Sequence, residues 1–203
     1  VATSREQHLP HVIRSAPGRK HKVVVVGGGP GGLEAARVCA SRGHQVILYE
    51  ATAELGGQIV LAAKATWRTG LIGIVTWLAD QLDFLGVDVR CNQLADRNTV
   101  LESGPECVIV ATGGTPSVGR FEGHGLANTV WDMLSGHVEC AGEILIVDES
   151  GGHAALSCAE FAADQGAQVE IVSPDRVLGT ELAQTNLGAH LSELYKLKVR
   201  IRP

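Results

Sequence analysis

The chain has 203 residues, room for one large domain or two small ones with a buried core. Hydrophobic residues make up 45% and charged residues 19%, an ordinary globular balance. The formal charge of −5 argues against a nucleic-acid partner, and the basic cluster from Arg14 to Lys22 is too short to overturn that. No apolar run reaches the ~18 residues of a membrane span.

The first stretch, residues 1–21, carries Pro10, Pro17, Gly18 and several charges without sustained periodicity, and reads as a linker or arm. It lacks a signal-peptide order and an initiator Met, so either processing removed the Met or the chain begins partway through a longer polypeptide. His8 and His11 are three apart, but with no carboxylate or Cys nearby they do not point to a metal.

Val23 to Val26 is a continuous β-branched run, the mark of a parallel strand buried on both faces. Gly27 to Gly32 is a turn, Leu33 to Arg42 a helix ended by Gly43, and Gln45 to Tyr49 a second strand. A glycine-rich loop with Leu55-Gly56-Gly57-Gln58 follows. Leu71, Ile74, Val75, Leu78, Leu82 and Leu85 then fall at three- and four-residue steps, one apolar helical face closed by Gly86. Val87 to Cys91 and Cys107 to Ala111 are short strands, the latter running into Thr112-Gly113-Gly114-Thr115-Pro116. After an irregular connection with a helical turn at Trp131 to Leu134, the opening pattern recurs. Glu143 to Val147 is a strand, Gly152 to Gln165 a helix, Gly166 its stop and Gln168 to Val172 a strand. Leu187 to Leu197 is a last helix, and Val199 to Ile201 begins a strand that stops at Pro203, as in a chain truncated relative to its natural fold.

The fold expected is therefore α/β: two Rossmann-like lobes with parallel sheets, of the FAD/NAD(P)-binding type. The first spans residues 22–118 and the second residues 119–203, both incomplete.

Gly27-x-Gly29-x-x-Gly32 follows a strand and opens a helix, the context that makes a dinucleotide fingerprint informative. Gly27 permits the tight turn, Gly29 lets a pyrophosphate approach the backbone, and Gly32 allows close helix–strand packing; Pro30 and Gly31 complete the turn. The helix N-terminus offers N–H groups and a partial positive charge to the phosphates. Glu50, ending the second strand, is placed to accept hydrogen bonds from both ribose hydroxyls and to repel a 2′-phosphate. The unit should therefore prefer FAD, NAD or ADP over NADP.

Two later segments favour a flavin-type or ADP-type site. Glu54-Leu55-Gly56-Gly57-Gln58 is similar to the segment after the acidic residue in two-dinucleotide flavoproteins, which makes Gly57 and Gln58 candidates. Val108-Ile109-Val110-Ala111-Thr112-Gly113-Gly114 resembles their second short motif, which adds Ala111, Thr112 and Gly113.

The second unit has lost this pattern. Matching Val147 to Val26 puts Asp148 at the first glycine, with Ser150 and His153 at the others. Matching Gly166 to Gly43 gives Ser150, Gly152 and Ala155, and replaces the acidic ribose partner by Ser173. Either register predicts the fold of a pyridine-nucleotide lobe with poor NAD(P)H binding, with Arg176 as the candidate partner for a 2′-phosphate.

The five cysteines, Cys39, Cys91, Cys107, Cys140 and Cys158, form no C-x-x-C pair, so no disulfide framework, zinc site or iron–sulfur site is indicated, and a reducing, cytoplasmic setting is expected. The missing C-x-x-C also argues against a stand-alone thioredoxin-reductase-like enzyme. No catalytic residue is named: His153 and His190 read as isolated histidines in packing or surface roles.

Across essentially its whole length the chain resembles the C-terminal nucleotide-binding half of the trimethylamine dehydrogenase and 2,4-dienoyl-CoA reductase family. The resemblance is carried by Val23 to Ile59 and by Ser4-Arg5-Glu6. Ser157-Cys158-Ala159-Glu160 is similar to the amine-dehydrogenase side, and the segments Leu71 to Trp77 and Val130 to Gly136 to bacterial members that demethylate N-methylated amino acids. The resemblance implies an upstream flavin barrel, as domain or subunit, carrying FMN and a 4Fe-4S cluster that have no counterpart here. It also implies amine oxidation at that barrel, FAD or ADP in the first lobe, and electron delivery to a protein acceptor such as an electron-transferring flavoprotein.

Overall fold

A computed structural model of the chain describes residues 12–117 and 122–202. His8, His11 and Ser4 to Glu6 lie outside the described residues. The chain divides into two compact units: the described residues of Val1–Ile59 and Ile72–Gly113 form the first, and those of Val60–Leu71 and Gly114–Pro203 the second. It thus leaves the first unit after Ile59, contributes residues 60–71 to the second, and returns.

In the first unit the valine run becomes β1 (Lys22–Val26), whose three central residues are buried. β-Branched side chains stiff at χ1 suit a strand covered on both sides. β1 pairs in parallel with β2 (Gln45–Tyr49) on one side and β4 (Cys107–Val110) on the other, and β3 (Asp88–Arg90) extends the order to β3-β2-β1-β4. In this register Val26 stands opposite both Tyr49 and Val110, so three strands end at one level. The crevice outside such carboxyl ends, on either side of β1, is where open α/β sheets bind ligands.

Helix α1 (Pro30–Ser41) and helix α3 (Ile72–Phe84) cover one face, burying Leu33, Ala36, Val75, Leu78 and Leu82 against Val23, Val25, Val46 and Leu48. Truncating a fully buried leucine such as Leu33 or Leu82 to Ala costs about 2–5 kcal/mol. The opposite face buries Val24, Ile47 and Tyr49, with Ala95 and Val100 packed on them; Val100 lies in the short helix α4 (Arg97–Glu102), capped by Asp96 through the Thr99 N–H.

The apolar face expected from Leu71 to Leu85 is narrower than its spacing suggests. Ile74 is 46% exposed, and Leu71 precedes the α-helix, closing a 3₁₀ turn (Thr66–Leu71). The helix buries a stripe at Val75, Leu78 and Leu82, while Trp77 lies under the Arg37 guanidinium. Helix α4, and helix α2 (Gln58–Ala62), buries no residue completely, so neither carries the apolar periodicity that reveals a helix in sequence.

The second unit repeats the first. β5 (Glu143–Val147), helix α6 (His153–Asp164), β6 (Gln168–Val172), helix α7 (Gln184–Lys196) and β7 (Arg200–Arg202) correspond in order to β1, α1, β2, α3 and β3. The sheet is parallel in the order β5-β6-β7. Its core gathers Leu156, Ala159, Ile171 and Leu194, with Val130 and Met133 of helix α5 (Val130–Leu134) packed against it. Thr129 and Asp132 form a reciprocal capping box at the start of α5. All five cysteines are free. Among the described residues no helix is long and apolar enough to cross a membrane.

Candidate functional site

The turn after β1 is built by steric necessity. Gly27 has φ +108°, and a Cβ there would collide with the Ala111 carbonyl oxygen, so only glycine lets the end of β4 close against the turn. A Cβ on Gly32 would overlap the Gly27 carbonyl oxygen, which fixes how closely α1 approaches the strand. Gly29 and Gly31 differ: a Cβ at either meets nothing within 4 Å. Gly29 is the N-cap of α1, in extended backbone, without a side-chain capping hydrogen bond, and Pro30 occupies the first turn. The helix therefore begins without a side-chain cap and with open space beside Gly29 and Gly31, an arrangement suited to an anion.

Around this turn the other sequence candidates converge. Glu50 is 9% exposed, and its Oε2 accepts the Gly28 N–H at 2.6 Å. Its Oε1 accepts both the N–H and the Oγ1 hydroxyl of Thr52 at 2.8 Å. Beyond the ribose-binding role expected of it, Glu50 braces the turn from beneath. Oε2, which accepts one hydrogen bond, has capacity for a further donor, so bracing and ribose recognition are compatible. Gly56 donates its N–H to the Gly28 carbonyl at 2.8 Å, and Gly57, at φ +50°, lies so close that its Cβ would be 3.3 Å from the Gly29 Cα. Gln58 opens α2, with its Nε2 3.5 Å from the Cβ position of Gly113. The loop from Glu54 to Gln58 and the residues after β4, Ala111 to Gly113, thus flank the glycine turn from two sides.

Two residues carry parts of this arrangement that the sequence motifs do not assign. Thr52 saturates one oxygen of Glu50, and Leu55 packs where a Gly28 side chain would go, its Cδ2 2.7 Å from that Cβ position. A hydroxyl two residues past an acidic strand end is the available signal for Thr52, since Ser and Thr bond locally at such bends.

The corresponding turn of the second unit is filled by its own side chain. Asp148 is the positional equivalent of Gly27: its N–H bonds the Val172 carbonyl just as the Gly27 N–H bonds that of Tyr49. Asp148 is 2% exposed, and its Oδ1 accepts three hydrogen bonds at 3.0 Å, from the Ser150 N–H and hydroxyl and from the Gly151 N–H. Each of the two sequence registers is right for one part. The strand follows the first, whereas the helix follows the second, with Gly152 as N-cap where α1 has Gly29. The turn is two residues longer here, and no single alignment spans it. Ser173 follows β6 where Glu50 follows β2: its N–H bonds the Arg202 carbonyl as that of Glu50 bonds the Arg90 carbonyl. Thr180 folds onto Gly151, where a Cβ would collide with its Oγ1.

The expectation that His153 and His190 are isolated is corrected by the structure. His153 Nδ1 and His190 Nε2 are 2.9 Å apart, and His190, fully buried, has its Nδ1 3.8 Å from Glu160 Oε2. The two histidines lie 37 positions apart in sequence, on α6 and α7, so no local pattern announces the pair. Among the described residues no group of three or more His, Cys, Asp or Glu is placed to hold a metal ion.

Comparison with known proteins agrees with the geometry of the first unit. The family described as FAD dependent oxidoreductase matches residues 22–140. The chain is 44% identical over 98% of its length to an N,N-dimethylglycine/sarcosine dehydrogenase of Chromohalobacter salexigens, covering 30% of that protein. It is likewise 44% identical over 98% of its length to a probable N-methylproline demethylase of Rhizobium meliloti, covering 29%. Among solved structures, a 2-naphthoyl-CoA reductase superposes with a TM-score of 0.89 at 28% identity, over 94% of this chain and 29% of that one. The chain thus spans about 30% of the length of the curated relatives it matches.

Proposed function

This chain belongs to the FAD-dependent oxidoreductases, and on that premise we propose that its first unit anchors the adenosine diphosphate half of FAD, or ADP itself, for an enzyme that oxidises or demethylates an N-methylated amine. The observation that carries this reading is the open, uncapped N-terminus of α1 at Gly29, bordered by Gly57 and, through Gly28, by Glu50. The residues fit the group. The N–H groups at the start of α1 would meet the pyrophosphate, and Glu50 would accept from the adenosine ribose. Gly57, Gln58, Ala111, Thr112 and Gly113 would flank the remainder. When bound, a flavin supplies electron transfer; the residues of this chain bind, orient and shield it.

The amine assignment draws on the N-methyl substrates named for two relatives at 44% identity. It extends to an upstream flavin barrel with FMN and a 4Fe-4S cluster, outside this chain, and to a protein electron acceptor. The self-filled turn at Asp148 supports that acceptor over NAD(P)H, since a carboxylate now stands where phosphates would approach. A cytoplasmic location goes with the same reading. The reductase seen among the structural neighbours favours a second one, an enoyl-type reductase portion fed by NAD(P)H.

Identification of the nucleotide released on denaturing the purified chain tests the first part. FAD or ADP is expected; neither nucleotide, even after incubation with both, would overturn it. Titrating the FAD-loaded chain anaerobically with NADH separates the two readings: the colour of the oxidised flavin should persist, and rapid bleaching would favour the reductase.

A further inference from the structure

The segment 60–71, which leaves the first unit, reaches the second at a buried cluster of ionisable side chains. Glu160, on α6 and 1% exposed, accepts the backbone N–H of Thr66 at 2.7 Å through its Oε1. Its Oε2 faces His190 Nδ1 at 3.8 Å, and neither atom has a hydrogen-bond partner. His190 Nε2 meets His153 Nδ1 at 2.9 Å, and the Trp67 ring contacts His190 edge-on with centroids 4.9 Å apart. Arg68 lies over Trp67 and donates to Ser157 Oγ at 3.4 Å. The segment docks on the second unit through Thr66, Trp67 and Arg68, and each of these contacts ends on this cluster or beside it.

The chemistry of the pair limits how many protons it can hold. A bond between two imidazole nitrogens needs one donor and one acceptor. With both rings neutral, or with a single added proton on the pair, that condition is met. A second proton places two N–H donors and two like charges 2.9 Å apart. The charged groups facing the pair are Glu160 of α6 and Arg68 of the docked segment; Arg68 adds a further positive charge against His153.

We infer that the His153–His190–Glu160 cluster is an acid-operated latch, which fastens residues 60–71 to the second unit while the histidine pair holds at most one added proton and releases them when both rings are protonated. Burial first, then the charges of Arg68 and His190, holds the His153 pKa below its ordinary 6.5. The sign follows: a depressed histidine contributes stability that is fully present above about pH 6.5 and falls away as pH drops through the folded value. Glu160 acts in the same direction. Burial alone would raise its pKa, but its interactions with His190 and Thr66 take it below its ordinary 4.5, so its contribution is lost as pH falls below that. Of the two, only His153 responds near neutrality.

Amide hydrogen exchange on the whole chain, at about pH 7.5 and about pH 5.5 and corrected for intrinsic exchange rates, reads the latch directly. Exchange of the amides from Ala65 to Arg68 should accelerate, by up to about tenfold per pH unit for a one-proton linkage, while those of Ile146 and Ile171 in the sheet stay protected. His153→Phe should abolish the pH dependence at these amides. Equal corrected rates at the two pH values, acceleration throughout the second unit, or unchanged pH dependence in the variant would each overturn the inference. Because His153 is only half-buried the variant should fold, and a proton NMR titration of the unmodified chain gives an independent check. His153 should titrate below its ordinary 6.5, and a midpoint above that value would also overturn it.

Discussion

Glu50 Oε2 and the Gly28 backbone N–H are joined by a 2.6 Å hydrogen bond between residues 22 apart in sequence, tying the end of β2 to the turn after β1. On the proposed reading one carboxylate has two jobs: it would present an acceptor toward a ribose, and it holds the turn after β1 in shape. Replacing Glu50 by Ala should weaken ADP or FAD binding by roughly 1–3 kcal/mol and also lower the melting temperature, because the buried Gly28 donor loses its acceptor. Calorimetry and thermal melts on the same preparation measure both. Loss of affinity with no loss of stability would show that the bracing bond contributes nothing.

The glycines of the turn should separate into two classes. Gly27→Ala and Gly32→Ala drive Cβ atoms into backbone carbonyl oxygens, so both should destabilise the chain by about 1–3 kcal/mol or more, measured by denaturant unfolding. Gly29→Val should leave stability nearly unchanged, since its Cβ meets nothing within 4 Å and its backbone is extended, yet should abolish adenine-nucleotide binding. Unchanged affinity in Gly29→Val would refute the site.

Asp148 has become a structural residue. Asp148→Ala leaves the Ser150 and Gly151 donors without their acceptor and should cost roughly 1–3 kcal/mol of stability. It should not create NADH binding, because Ser173 stands where a ribose-binding carboxylate is needed and Thr180 covers Gly151. Fluorescence titration with NADH checks the second point.

Thiol reactivity should follow burial. Burial, with Cys140 nearby, pushes the Cys158 thiol up to about 12, while Cys107 is exposed. Only thiolates react with disulfide reagents, so Cys107 should be modified readily in the folded chain and Cys158 only after unfolding. Mass mapping after brief labelling distinguishes the two.

The first unit is legible in the sequence because its signals are local. The valines of β1, the glycines of the turn and the acid closing β2 each perform a task set by their nearest neighbours in the chain. The helices α2 and α4 are not legible, because neither presents a buried stripe. The Leu71–Leu85 pattern overstates its apolar face for a related reason: period marks a helix, but only the sheet beneath decides that Val75, Leu78 and Leu82 are covered while Ile74 is not. Matching the two turns residue for residue fails because the second is longer by two residues, a difference spread between the end of β5 and the cap of α6.

Sequence alone determined the α/β alternation, the repeat of one unit by another, and the residue types of the glycine turn, since these depend on side-chain period, φ and Cβ sterics within a few residues. Tertiary structure alone decided which distant groups meet: Glu50 with Gly28, Gly57 with Gly29, Gln58 with Gly113, and His190 with His153 and Glu160. It also assigned residues 60–71 to the second unit. Those pairings arise from chain segments brought together by burial of separate apolar faces, and burial is non-directional, so no spacing in the linear sequence encodes them.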